Sequence, residues 1–362
     1  MYKVESGVGF MRLANKDNKV WIVPNKSINT ALSIYQPSSV KGKLLKVVLP
    51  ILSKVPQLYR TINAQRVSLT IDHLLRELIC KVLGIDTFEV AIFEGTPSVH
   101  KKYTMQIFSG SKILAYCKVS NKKDIIELLK NEAKILEHLN GKGISGIPTC
   151  LYCGTIDSSN EHLIYITSSE RTPESQSTHS WGRAHWDFIS ELHNKTKSKL
   201  PFADSDFAKS LQTLRGYLKN LPLLDTLLCD STINSIEDYY DNQEVEFSAY
   251  HGDFTPWNMF MEKDELFVFD WEYCYLSYPP YLDWFHFFTQ TAIFERNLSS
   301  DQIVAEFKNT ASQTRVYIKD VELSYKMYLL SIISKYIDRE GGDLSQATKE
   351  LLSIWMDILR KI

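Results

Sequence analysis

The chain has 362 residues, 44% of them hydrophobic and 23% charged, with a formal net charge of −2. That length admits roughly two domains with cores of their own, and a charge so near balance gives no basic field for a nucleic-acid backbone. No apolar run approaches the roughly 18 residues of a membrane span, the first residues lack the apolar stretch of a secretory signal, and six scattered Cys fit a reduced compartment; the expectation is a cytoplasmic protein with no membrane span and no nucleic-acid partner.

In chain order, residues 1–88 combine a strand-like VWIVP with two apolar helical patterns, GKLLKVVLPILSKV and LTIDHLLRELICKVLG. Pro50 interrupts the first pattern. The basic residues around it allow a membrane-surface reading, with packing on the rest of the protein preferred. This part is expected to be an N-terminal extension packed on a core that begins near Glu89. From there the texture turns β-rich: EVAIF, YTMQIF and KILAYCKV, separated by the turn signals EGTPSVHKK and SGS, predict three antiparallel strands in a row. A periodic helix from about Lys123 to Asn140 follows and is stopped by GKGISGIP. Two further strands, TCLYCGT and EHLIYIT, flank IDSSN. Cys150 and Cys153 in that segment have zinc-ribbon spacing but no second pair to complete a tetrahedral site, so they read as structural thiols. Residues 89–170 are thus expected to form a small antiparallel-sheet lobe with one key helix, and 171–362, opened by the polar SSERTPESQSTHS, a mainly helical lobe. The fold class is α+β, and a ligand is expected in the cleft between the lobes.

The residues that carry chemistry lie in HGDFTPWNMF, His251 to Phe260, and in FVFDWE, which ends at Glu272. Two carboxylates and a carboxamide are the oxygen donors a hard cation needs. The stretch follows an apolar VEFSAY and precedes LFVFD, with MEKDE between them; this predicts a hairpin whose loop presents Asp253 and Asn258 to one point, with Asp270 on the returning strand. Singly, Asp and Asn in a turn often only cap backbone groups. Together with Asp270 they match the kinase layout, a His-x-Asp-x4-Asn loop followed by a second, metal-holding Asp. Phosphoryl transfer needs a carboxylate to orient the attacking hydroxyl and accept its proton, and cations to neutralise phosphate charge.

A kinase also needs a Lys on an upstream strand and a Glu on the next helix to hold it. Lys118 ends the third strand of the small lobe. Glu132 lies in the stripe of Ile125, Leu128, Leu129, Leu136 and Leu139, where a carboxylate is costly unless paired. Lys118 is its expected partner, and a surface Lys is the alternative. In EGTPSVHKK, backbone N–H groups, Ser98 and His100 to Lys102 suit a phosphate, although an ordinary hairpin loop has the same look.

AYCKVS, NEAKILEHL, ISELHNKT, HGDFTPWNMF and FVFDWE, in this order and at these spacings, resemble the aminoglycoside phosphotransferase and choline kinase group of small-molecule kinases over about residues 89–290. The resemblance implies a protein-kinase-like bilobal fold and Mg²⁺-dependent phosphotransfer from ATP, with GTP left open. It implies Asp253 as catalytic base with His251 bracing its loop, Asn258 and Asp270 as Mg²⁺ ligands, Lys118 on the α/β-phosphates with Glu132 as its partner, and adenine on backbone groups near Ile166 to Ser168. The Trp before Asn258, and DWE in place of Asp-Phe-Gly, point to this group rather than to protein kinases.

The expected acceptor is a hydroxyl of a small metabolite, a sugar or an amino alcohol such as choline or ethanolamine. From Trp271 to Phe288 nine of eighteen residues are aromatic, suiting a quaternary ammonium or a sugar ring, or simply a core. Only Glu272 and Asp283 are acidic there, which weighs against a polycationic aminoglycoside. From a different class, the chain reads as a kinase-like pseudoenzyme serving as a nucleotide-binding or scaffold module.

Overall fold

Alternation along VWIVP organises the first of the two units into which the computed structural model divides. The structure describes residues 2–15, 18–35, 40–54, 62–95, 102–156, 162–172, 174–241, 244–314 and 318–362. The first unit comprises Met1–Gly141, Ser145–Ser177 and Phe260–Glu272; the second comprises Lys142–Ile144, Thr178–Met259 and Tyr273–Ile362.

The first unit runs β1 (Tyr2–Ala14), β2 (Val20–Pro24), a single turn α1 (Ile28–Ala31), α2 (Val40–Leu52), β3 (Ala64–Ile71), α3 (His73–Leu83), β4 (Glu89–Phe93), β5 (Tyr103–Ser109), β6 (Lys112–Ser120), α4 (Lys123–Gly141), β7 (Cys150–Gly154) and β8 (Leu163–Ser168). These strands form one eight-stranded sheet in the order β3-β1-β2-β4-β5-β6-β8-β7. Successive side chains of a strand point to opposite faces. Val20 and Ile22 of β2 therefore join Leu75 and Ile79 of α3 and Ile107, Cys117 and Ile166 on one face. Trp21 and Val23 join Ile28, Leu49 and Phe108 on the other. With both faces covered, all five residues of β2 are buried.

Residues 2–71 contribute three strands to this sheet, of which the sequence signalled only β2. The LTI of the second helical pattern belongs to β3, because Asp72 caps α3 by accepting the N–H groups of Leu74 at 3.0 Å and Leu75 at 3.3 Å. The strands expected from Glu89 onward, and the helix between them, are β4 to β8 and α4.

In the second unit come α5 (Arg183–Thr196), β9 (Ser198–Pro201), α6 (Asp206–Leu218), α7 (Thr226–Tyr240) and β10 (Glu244–Tyr250). After β11 (Met259–Glu262) and β12 (Glu265–Val268) follow β13 (Tyr275–Tyr278), α8 (Leu282–Phe294), α9 (Ser300–Thr314), α10 (Val321–Arg339) and α11 (Gln346–Lys361). β10 is the centre of a three-stranded sheet, β13-β10-β9.

The expected hairpin is relocated. β10 does not pair with β12; β12 pairs with β11, which is the tail of HGDFTPWNMF itself. The two-residue turn Lys263–Asp264, with Lys263 at φ 56°, is short enough to close that tighter hairpin.

Ile107 is fully buried, opposite Val90 on one side and Ala115 on the other. Ile107→Ala should cost about 2–5 kcal/mol, read as a lowered urea midpoint.

Candidate active site

In the first unit, alternation along β6 sends Ala115, Cys117 and Val119 into one core cluster and Lys118 to the opposite face. Helical periodicity places Glu132, 1% exposed, among Ile125, Leu129, Ile135, Leu136 and Leu139 on the buried face of α4. Lys118 Nζ donates to Glu132 Oε2 at 2.8 Å and to Asp270 Oδ1 at 2.7 Å. Glu132 Oε1 accepts the backbone N–H of Trp271 at 3.3 Å, so both of its oxygens are engaged.

Asp270 has φ 70°, a left-handed backbone that Asp tolerates better than most residues and that persists only where the surroundings over-determine it. Those surroundings are on either side of it. Fully buried Trp271 donates its ring N–H to Val268 O at 3.0 Å, and Asn131 of α4 donates to the Glu272 carbonyl at 3.1 Å.

Two further residues complete this ionic group. Lys102, at the head of β5, donates to Glu272 and, at 3.4 Å, to Asp270. Glu132, Asp270 and Glu272 bring carboxylate oxygens within 4.8 Å of one another. Two ammonium groups facing three carboxylates leave an excess of negative charge. Burial works against the charge of both lysines, but Asp270 first, then Glu272 for Lys102 and Glu132 for Lys118, holds their pKa values above the ordinary one. Burial pushes the Glu132 carboxyl up, and Lys118 opposes it.

Ser98 lies outside the described residues. Ile166 and Ser168 sit within β8, between β6 and β7. Ser168 already donates its backbone N–H to Thr149 O at 2.9 Å, and the chain leaves the ladder only at Ser169.

In the second unit, β10 delivers the His251–Asn258 stretch. Gly252 turns with φ 76°, and a Cβ there would lie 2.4 Å from Tyr273 O, so only glycine fits. Asp283, in the first turn of α8, accepts the N–H of His251 at 3.0 Å and of Gly252 at 3.3 Å. Lys335 of α10 donates to Gly252 O at 2.7 Å and stands over the Tyr273 ring, 4.3 Å from its centroid. The loop backbone is thus pinned from two helices.

His251 Nδ1 accepts the Asp253 N–H at 3.1 Å. Buried Asn258 donates through Nδ2 to Asp253 Oδ2 at 2.8 Å and to Asp253 O at 3.0 Å, which leaves the amide oxygen as the atom of this side chain that a cation can use. Asp253 Oδ1 meets His286 Nε2 at 3.2 Å. The other His286 nitrogen is buried without a hydrogen-bond partner among the described residues, so the neutral ring carries its proton on Nε2 and donates it to Asp253.

Burial by itself raises the Asp253 carboxyl, but the His286 hydrogen bond and Lys335 outweigh it and hold the pKa at about 2. Asp283 is the opposite case: burial pushes it up to about 7 against the pull of its two backbone N–H donors.

His286 and Lys335 were given no role from the sequence; Lys102 was read only with its neighbours as suiting a phosphate, and Glu272 and Asp283 only as the acids of the aromatic run. The available signal for Asp283 and His286 was an acid and an imidazole three positions apart in an otherwise apolar helix, groups whose burial is costly unless they are partnered. The aromatic run is mostly core: Trp271, Tyr278, Trp284, Phe285, Phe287 and Phe288 are all buried.

A sheet-bearing unit holding a Lys–Glu–Asp ionic group, and a mainly helical unit holding an ordered Asp–Asn loop, define the class of kinase-like phosphotransferases. A family model described as phosphotransferase enzyme family matches residues 116–295, a segment that includes Lys118, Glu132, Asp253, Asn258, Asp270, Asp283 and His286.

Solved structures share the fold. A proposed aminoglycoside phosphotransferase from Ralstonia eutropha JMP134 is similar at 14% identity and TM-score 0.52, over 80% of this chain and 97% of that one. A thermostable mutant of aminoglycoside phosphotransferase APH(4)-Ia, in ternary complex with ADP and hygromycin B, is similar at 11% identity and TM-score 0.51, over 79% and 98%. A proposed fructosamine-3-kinase from Haemophilus somnus 129PT matches at 14% identity and TM-score 0.49, over 79% and 96%. No curated protein matches by sequence.

The two carboxylates of the second unit give opposite pH signatures. Asp283 holds its proton up to about 7, against about 3.9 unfolded, so its contribution to stability is complete below about pH 4 and is lost as pH rises through 7. Asp253 contributes above about pH 4 and loses its share as pH falls through 2. Asp283→Asn should therefore flatten the fall in melting temperature between about pH 4 and 7, measured by thermal melts across that range. An unchanged slope would remove Asp283 as its source.

Proposed function

We propose that this chain is an ATP- and Mg²⁺-dependent kinase that transfers the γ-phosphoryl group of ATP to a hydroxyl of a small metabolite. The reading is carried by the grip of Glu132 and Asp270 on the Lys118 ammonium. A buried Lys–Glu pair adds little net stability, whereas phosphate binding needs a cation held in place and kept charged.

In this reading Lys118 neutralises the α/β-phosphates and Glu132 fixes it. Asp253, ionised far below neutral pH, orients the acceptor hydroxyl and takes its proton as the new O–P bond forms. Its two oxygens each accept one side-chain hydrogen bond, from His286 and Asn258, and each keeps a lone pair for that task. The Asp270 carboxylate and the Asn258 amide oxygen are each hard donors, of the kind that suits Mg²⁺ rather than a softer metal. Mg²⁺, when bound, neutralises charge on the transferred phosphate.

With six rings of the aromatic run taken up by the core, that run gives little support to a cage for a quaternary ammonium. A sugar hydroxyl is therefore favoured over a choline-type acceptor. Aminoglycosides stand beside it, since APH(4)-Ia, similar in fold, was solved with hygromycin B.

The test is ADP release from Mg-ATP and Mg-GTP with a panel of sugars, amino alcohols and aminoglycosides. One acceptor class should stimulate turnover, and Asp253→Asn should lower kcat by about 10²–10⁴ with nucleotide binding retained. Acceptor-independent turnover, or turnover indifferent to that change, sinks the proposal; nucleotide binding without any turnover favours the pseudoenzyme.

A further inference from the structure

Residues 18–71 hold eight Lys and Arg and no Asp or Glu, in a chain whose formal net charge is −2. α2 lies within this stretch. One side of it is core: Leu49 is fully buried and Leu45 packs against the cluster of Trp21, Val23 and Phe108. On the other side Leu44, Val47 and Ile51, at i, i+3 and i+7, are exposed by 64%, 73% and 67% among the described residues. Adjacent branched aliphatics in a row differ from the single apolar residues scattered over an ordinary surface. Lys54, just past the helix, is exposed as well.

Charge chooses among the occupants of such a face. A second copy docked across a two-fold axis would set this basic segment against itself. A nucleic-acid backbone would answer the charge but leave the aliphatics in water. An anionic lipid surface answers both: the aliphatic side chains enter the boundary between headgroups and acyl chains, and exposed Lys54, just past the helix, meets the lipid phosphates. We infer that α2 is a monotopic contact with anionic bilayers, holding the phosphotransferase at a membrane surface without spanning it. The inference does not depend on which acceptor is phosphorylated.

The experiment is co-sedimentation of the full chain with vesicles of phosphatidylcholine alone or with about one third phosphatidylglycerol. Recovery on the anionic vesicles should be about ten-fold or more higher and should fall as salt is added. The triple variant Leu44→Ser, Val47→Ser, Ile51→Ser should lose binding, and Lys54→Glu should weaken it several-fold, each with an unchanged melting temperature and unchanged Mg-ATP binding. No sedimentation, equal recovery on neutral vesicles, or full binding by the triple variant overturns the inference. Concentration-dependent dimerisation in light scattering that the triple variant abolishes would assign the face to a second copy and overturn it too, as would an acidic protein that displaces no lipid yet binds only through these residues.

Discussion

A carboxylate placed among the leucines and isoleucines of a helix has to be met by a cation, and Glu132 imposes that condition on everything around it. Lys118 must reach it from the far face of β6, Trp271 must turn its N–H toward it, and Asp270 must adopt a left-handed backbone between them. An ion pair of this kind does little for net stability, since desolvation consumes most of the Coulombic gain. What it fixes is arrangement: one register for β6, one rotation for α4 and one path for the chain after β12. An apolar pair of similar volume would hold these elements together as well, but without a held ammonium between two carboxylates.

The second unit secures its loop differently. Asp283 and Lys335 grip the backbone of His251 and Gly252, so the path of the loop is set by partners that leave the Asp253 side chain to His286 and Asn258. Two carboxylates that bear on the same loop, Asp253 within it and Asp283 hydrogen-bonded to its backbone, end up far apart in acidity, about 2 and about 7. One accepts a side-chain hydrogen bond beside a cation; the other is sealed in apolar surroundings that even two N–H donors do not offset. Environment, not residue type, assigns the two their tasks.

How much of this was legible depended on whether the signal was local. Lys118 and Glu132 were legible as a pair because each is a charge in an apolar segment: a lysine on the alternate face of an apolar strand and a carboxylate inside an apolar stripe. β4 to β8 were legible from alternation bounded by turn residues. β1 was not, because Ser6, Gly7 and Gly9 dilute its alternation where its pairing with β3 shifts register between Ser6 and Phe10. The hairpin was misplaced because MFME, too short to announce itself as a strand, pairs ahead of the longer VEFSAY. Asp283, His286 and Lys335 act on a loop 31 to 83 residues away in sequence, and the aromatic residues around the first two hide them in what reads as plain core. Only tertiary structure brings such residues to the loop they serve.

The segregation of charge along residues 18–71 also bears on how the molecule behaves before it touches anything. A net charge near zero suggests indifference to electric fields, but a stretch with eight cations and no acid can answer a negative surface that the molecule's net charge would not.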